Sequence, residues 1–148
     1  MNFSVDQAGI RDLDTVAALF DAYRQFYEQP SDPDGSRRFL RERFQLQESL
    51  LLLARDPQGA GLGFTQLYPL FSSVRAVRAW LLNDLFVAPQ ARRHGVGAAL
   101  LREAATRGRE LGAGCLMLST ALDNAPAQAL YASLGWHREA SCEYLLTL

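Results

Sequence analysis

Between Leu82 and Leu101 the chain changes character twice. An apolar run, Leu85-Phe86-Val87, is stopped by Pro89, which cannot donate to a strand ladder. A polar loop with Arg92, Arg93 and His94 follows, and Gly95-Val96-Gly97-Ala98 opens a segment in which Val96, Leu100, Leu101 and Ala104 recur at helical spacing. The order is strand, tight loop, helix. At such a junction unpaired backbone N–H groups and the positive end of the helix dipole point at one spot, forming an anion cradle. Gly95 and Gly97 remove side chains that would obstruct close approach, and Arg92 and Arg93 add charge suited to a diphosphate. Taken alone, the Arg-x-x-Gly-x-Gly pattern fits helix-entry packing equally well.

The rest of the chain fills in a mixed sheet. Phe3 to Val5 reads as a first strand, and Ile10-Arg11-Asp12-Leu13-Asp14 opens, through an Asp cap, a helix with Val16, Leu19, Phe20, Tyr23, Phe26 and Tyr27 on one stripe, ending near Gln29-Pro30. Pro30 to Gly35 is turn chemistry, and the helix after it is predicted to bury Phe39, Leu40, Phe44 and Leu46. Leu50 to Arg55 and Gly63 to Leu70 form a hairpin across Asp56 to Gly61, and Ala76 to Val87 a long strand. After the helix over 96–111 come a buried strand over Cys115 to Ser119, a short helix over 127–134, and two closing strands over 136–139 and 143–148. This predicts one α/β domain over residues 1–148: a central, mostly antiparallel sheet flanked by helices, with a βαβα core in the second half.

Composition excludes much chemistry. All 15 basic residues are Arg, so lysine-based Schiff bases, a Walker loop and a kinase-type strand lysine are impossible. The net charge of -1 gives no general attraction to nucleic acid or anionic membrane. Cys115, Cys142, His94 and His137 show no metal-ligand spacing, so no metal is expected, and Cys115 reads as a buried small hydrophobe. The acidic, weakly apolar N-terminus does not read as a signal peptide, and no run approaches the roughly 18 apolar residues of a membrane span. A cytoplasmic chain is expected.

Arg92, Gly95 and Gly97, together with Asn124, Tyr131, Gly135 and Trp136 in register downstream, resemble the GNAT family of N-acetyltransferases. The resemblance spans nearly the whole chain. Asp84-Leu85-Phe86-Val87 is more weakly similar to the diamine and polyamine branch. The resemblance implies an enzyme that transfers acetyl directly from acetyl-coenzyme A to a primary amine of a small molecule. The backbone of Leu85, Phe86 and Val87 would pair with the pantetheine arm, and Arg92, Arg93, His94, Gly95, Val96, Gly97 and Ala98 would hold the pyrophosphate. Asn124 would contact the arm from the other side, and Tyr131 would serve as acid for the departing thiolate. A homodimer pairing through the late strands is also implied.

Such transfer needs a neutral amine, an oxyanion donor and an acid. An N–H near Phe86 or Val87, freed by a bulge, could be the donor. Some polyamine-acetylating relatives carry Glu where this chain has Asn83, whose amide cannot take a proton; the adjacent Asp84 is the candidate base, and a water chain or an already neutral amine is the alternative that the resemblance also allows. Strand alternation turns Asp84 away from the acceptor groove unless a bulge intervenes, and a purely structural role competes. Tyr23, Tyr27, Glu28, Asp32 and Asp34 are candidates to wall the acceptor pocket, although the two aspartates read more readily as caps of a solvated loop. Acetylation of a protein or peptide amine, and a coenzyme-binding module without catalysis, are the competing functions.

Overall fold

The computed structural model describes all of residues 1–148. Its strands are β1 (Ser4–Gln7), β2 (Leu50–Arg55), β3 (Gly61–Ser72), β4 (Val77–Val87) and β5 (Cys115–Met117), in the spatial order β1-β2-β3-β4-β5. The first four pair antiparallel, and β4 pairs β5 in parallel. The helices are α1 (Leu13–Phe26), α2 (Pro33–Leu46), α3 (Val96–Glu110) and α4 (Ala125–Ser133), so β4-α3-β5-α4 is the βαβα unit. No helix is long and apolar enough to cross a membrane.

Helices cover both faces of the sheet, which explains why Leu50 to Leu53 is an unbroken apolar run rather than an alternating one. Leu51 and Leu53 face α1 and α2 in one core cluster, with Val16, Phe20, Leu40, Phe64 and Phe86. Leu50 and Leu52 face α3 in the other, with Leu67, Leu82, Val96, Leu100 and Leu101.

The link between α1 and α2 is held from within. Asp21 accepts from the Ser31 hydroxyl at 2.7 Å, the Asp32 N–H at 2.8 Å and the Ser36 hydroxyl at 3.1 Å. Burial alone would raise the Asp21 carboxyl, but these donors hold it below its ordinary value. Asp32 caps α2 by accepting from the Gly35 N–H at 2.9 Å, and Pro33 occupies the first turn, where its missing N–H costs nothing. The helix therefore begins inside the segment expected to be a turn.

Three other expectations are corrected. Of the four apolar residues expected to be buried in α2 only Leu40 is fully buried, whereas Leu46 is 64% exposed and Phe39 stands at the surface stacked on Phe20. The helix ends at Gln47, which adopts a left-handed φ of 52°. Cys115 is half-buried, because β5 is an edge strand rather than an interior one. The two closing strands are absent: 136–148 pairs with no strand, and Tyr144, Leu145 and Leu146 are exposed. Alternation supplies strand propensity, but a strand exists only against a partner edge, and β5 offers just Cys115 to Met117.

Candidate active site

The bulge in β4 decides the site. Gln66 pairs with Asp84 and Leu67 with Leu82, so Asn83 is the extra residue on β4. Before it, Trp80 and Leu82 face the α3 side; after it, Leu85 and Val87 do, and Phe86 joins the α1 side. Asp84 is thereby rotated off the α3 face and onto the side of Tyr23. Without the extra residue its carboxylate would share a face with Leu82, under α3.

β4 also outruns its neighbour. It is paired to β5 only over Ala79 to Leu81, and from Leu82 to Val87 its second edge is open. The Ala88 N–H bonds the Leu62 carbonyl on the β3 side at 2.9 Å. Alternation then turns the Phe86 N–H toward β3 and the backbone groups of Leu85 and Val87 toward the open edge. The Val87 carbonyl confirms the direction by accepting from Arg92 Nε at 3.0 Å.

At the end of this edge lies the loop into α3. Gly95 is its N-cap at a left-handed φ of 83°, a conformation glycine adopts without strain, and Arg93 also lies at positive φ, 64°. No side chain caps the helix, so the N–H groups of Val96, Gly97 and Ala98 lack intrahelical acceptors and point outward. Gly97 faces inward: a Cβ there would meet Leu130 Cδ2 at 3.5 Å and Val87 Cγ2 at 3.6 Å. It thus keeps narrow the gap where β4, α3 and α4 converge. The Arg92 guanidinium is folded back between the Phe26 and Phe86 rings, 5.8 and 5.9 Å from their centroids. Arg93 and His94 are exposed and without partners, while Val96 is buried beneath the turn.

Across the gap, Asn124 caps α4 by accepting from the Ala127 N–H at 3.3 Å. Tyr131 is half-buried one face along, packed beside Trp136 with ring centroids 6.2 Å apart. Burial, then the nearby Tyr27 oxygen, raise its phenol above the ordinary value, so Tyr131 stays protonated. The open edge, the cradle and a protonated phenol fit an extended, anion-tailed thioester such as acetyl-coenzyme A.

On the α1 side Asp84 is 4% exposed. Its carboxylate accepts from Gln66 Nε2 at 2.7 Å and Asn83 Nδ2 at 3.1 Å. No basic side chain pairs with it. Burial outweighs these neutral donors and raises its carboxyl. Tyr68 is pushed up to about 12 by burial and by the Asp84 charge, and Tyr23 is raised further for the same reasons. Gln66 and its partner Ser49, 2.8 Å away, carry no sequence motif. Their only signal is a polar pair, Thr65-Gln66, inside an apolar strand. Of the suggested pocket wall, Tyr23 and Tyr27 border this region, whereas Asp32 is the α2 cap and Asp34 lies exposed in its first turn.

A strand that runs on past its parallel neighbour beside a glycine-opened helix leaves a cleft suited to an acyl carrier. The Acetyltransferase (GNAT) family model matches residues 16–136. The chain belongs to this family and is an acetyltransferase. It is 43% identical over 136 residues to the uncharacterized N-acetyltransferase YhfO of Bacillus subtilis strain 168, covering 92% of this chain and 91% of that protein. A probable acetyltransferase of known crystal structure is 41% identical and superposes with a TM-score of 0.91 over 98% of this chain and 97% of that one. A ribosomal-protein-alanine N-acetyltransferase from Brucella melitensis biovar Abortus 2308 shares the fold at 22% identity, with a TM-score of 0.84 over 99% and 100% of the two chains.

Proposed function

We propose that residues 1–148 form one catalytic domain that transfers acetyl directly from acetyl-coenzyme A to a primary amine of a small molecule. The observation that carries this reading is the pair of sites meeting at β4: a cofactor-shaped gap on one side, and a buried carboxylate with no counter-charge on the other. A cationic amine supplies the missing charge to Asp84. The exposed ends of the α1 aromatic stripe, Phe26 and Tyr27 at 58% and 51%, line the approach.

Bound acetyl-coenzyme A supplies the activated acyl group. The Val96, Gly97 and Ala98 N–H groups and Arg93 hold its diphosphate, and the Leu85 and Val87 backbone pairs with its arm. The Leu85 or Val87 N–H stabilises the oxyanion as the amine nitrogen attacks the carbonyl carbon. The C–N bond forms, the C–S bond breaks, and Tyr131 protonates the sulfur and is reprotonated by the proton shed from the new amide nitrogen. One proton per turnover, the ammonium's first, goes to Asp84 and then to water. The unpaired Cys115 and Cys142 support a reducing, cytoplasmic setting, and the exposed apolar tail from Tyr144 to Leu148 supports self-association as a dimer.

A panel of diamines, amino sugars, amino acids and peptide amines, read by free-thiol release and product mass, tests the reading. Acceptor-dependent release with a small amine is expected. Release with peptide amines alone makes it a protein acetyltransferase, and none at all makes it a binding module.

A further inference from the structure

Arg92 and Arg93 are neighbours in the loop into α3, yet only Arg92 is held. Its Nε–H donates to the Val87 carbonyl at 3.0 Å, and its guanidinium carbon stands 5.8 Å from the centroid of the Phe26 ring and 5.9 Å from that of Phe86. Phe26 is the last residue of α1, and Phe86 belongs to the α1 side of β4. One side chain therefore ties the loop of the cofactor side to the helix of the acceptor side. The carbonyl it occupies lies on the open edge of β4, beyond the last rung shared with β5. An extended chain pairing with that edge needs the same oxygen from the same direction, and a guanidinium seated there stands in its path.

We propose that Arg92 is an autoinhibitory latch: seated as it is, it covers the end of the open β4 edge, and the pantetheine arm pairs there only after Arg92 leaves the Val87 carbonyl and the two rings. The inference rests on the coenzyme site of the transfer reading above. The contacts suit a latch rather than a lock, because a cation over an exposed ring is held loosely and Phe26 is 58% exposed. Apparent affinity for the arm is then the intrinsic affinity reduced by the fraction of molecules already open. Release also uncovers Phe86, which is 7% exposed with Arg92 in place, so one movement clears both sides of the cleft and coenzyme binding prepares the amine site. The released guanidinium joins Arg93 beside the uncapped start of α3, where its charge suits a diphosphate.

Pantetheine, the arm without the diphosphate, separates a latch from a simple charge partner. It is uncharged, so a residue that serves only the diphosphate cannot alter its binding. Amide NMR of Leu85 to Ala88 during a pantetheine titration should give an affinity about fivefold tighter in Arg92→Ala than in wild type. Phe26→Leu, which removes one ring of the seat and keeps Arg92, should tighten both pantetheine and coenzyme A, whereas Arg93→Ala should weaken coenzyme A and leave pantetheine unchanged. All three changes fall on exposed side chains, so the fold is preserved. In wild type the Arg92 Nε–H resonance, shifted by the two rings, should move to a solvent-exposed position as pantetheine is added. Pantetheine that binds Arg92→Ala no better than wild type, or an Nε–H resonance that stays in place while pantetheine binds, overturns the latch. If coenzyme A perturbs neither the β4 edge nor the α3 entry of wild type, the coenzyme site is wrong and the latch falls with it.

Discussion

Tyr131 and Asp84 stand on opposite sides of β4 and are driven the same way, toward the protonated form, by burial. The consequences differ. For Tyr131 protonation is the working state of an acid, so Tyr131→Phe should lower kcat by about 10²- to 10⁴-fold with the KM for acetyl-coenzyme A nearly unchanged. The phenol has no hydrogen-bond partner in the protein, so the melting temperature should hardly move. An unaltered kcat would make Tyr131 a packing residue. For Asp84 the raised carboxyl opposes folding: the native state holds its proton more tightly than the unfolded chain, so stability falls as pH rises through the native titration. Asp84→Asn should therefore be more stable than wild type to urea at neutral pH, the gap closing below about pH 4, where both states bind the proton. The same variant should lose turnover most at pH values above the Asp84 titration and below that of the amine, where wild-type Asp84 is ionised and the amine still carries its extra proton.

At the scale of elements, the cleft depends on three short features: the Asn83 bulge, the early end of β5 and the glycine entry to α3. The glycines and Arg92 were legible because turn chemistry and helix entry leave local marks. The bulge was not, since pairing Gln66 with Asp84 and Leu67 with Leu82 is a property of two strands. Asp84's orientation followed from it and could only be posed as a choice. Strands β2 to β4 were legible from runs of Leu, Phe and Val, but the closing strands were overread because propensity does not supply a partner. Asp32 illustrates the converse: a loop aspartate that sequence leaves ambiguous becomes a cap once Gly35 sits above it. The glycine entry yields a direct test. Gly97→Val would place methyl groups between Val87 and Leu130, where even a Cβ is already in contact. Acetyl-coenzyme A affinity by calorimetry should drop at least tenfold, about 1.4 kcal/mol. Unchanged affinity in a folded variant would remove this gap from the binding site.

Across the whole molecule, β4 is a shared wall. In the function proposed above, α1 and α2 cover the acceptor side of the sheet, and α3 and α4 the cofactor side. On that proposal neither side holds both substrates, and the two meet at the open edge beyond the bulge. Cys115 lies on β5 at the far end of its pairing, opposite Ala79, and Cys142 lies in the exposed tail, so neither is placed to store the acetyl group. The central claim is therefore direct transfer within a ternary complex. Initial rates measured with acetyl-coenzyme A varied at several fixed amine concentrations test it most directly. Intersecting double-reciprocal lines are predicted, with no acetyl label retained by the protein when the amine is omitted; parallel lines and a labelled, acceptor-competent protein would contradict the account.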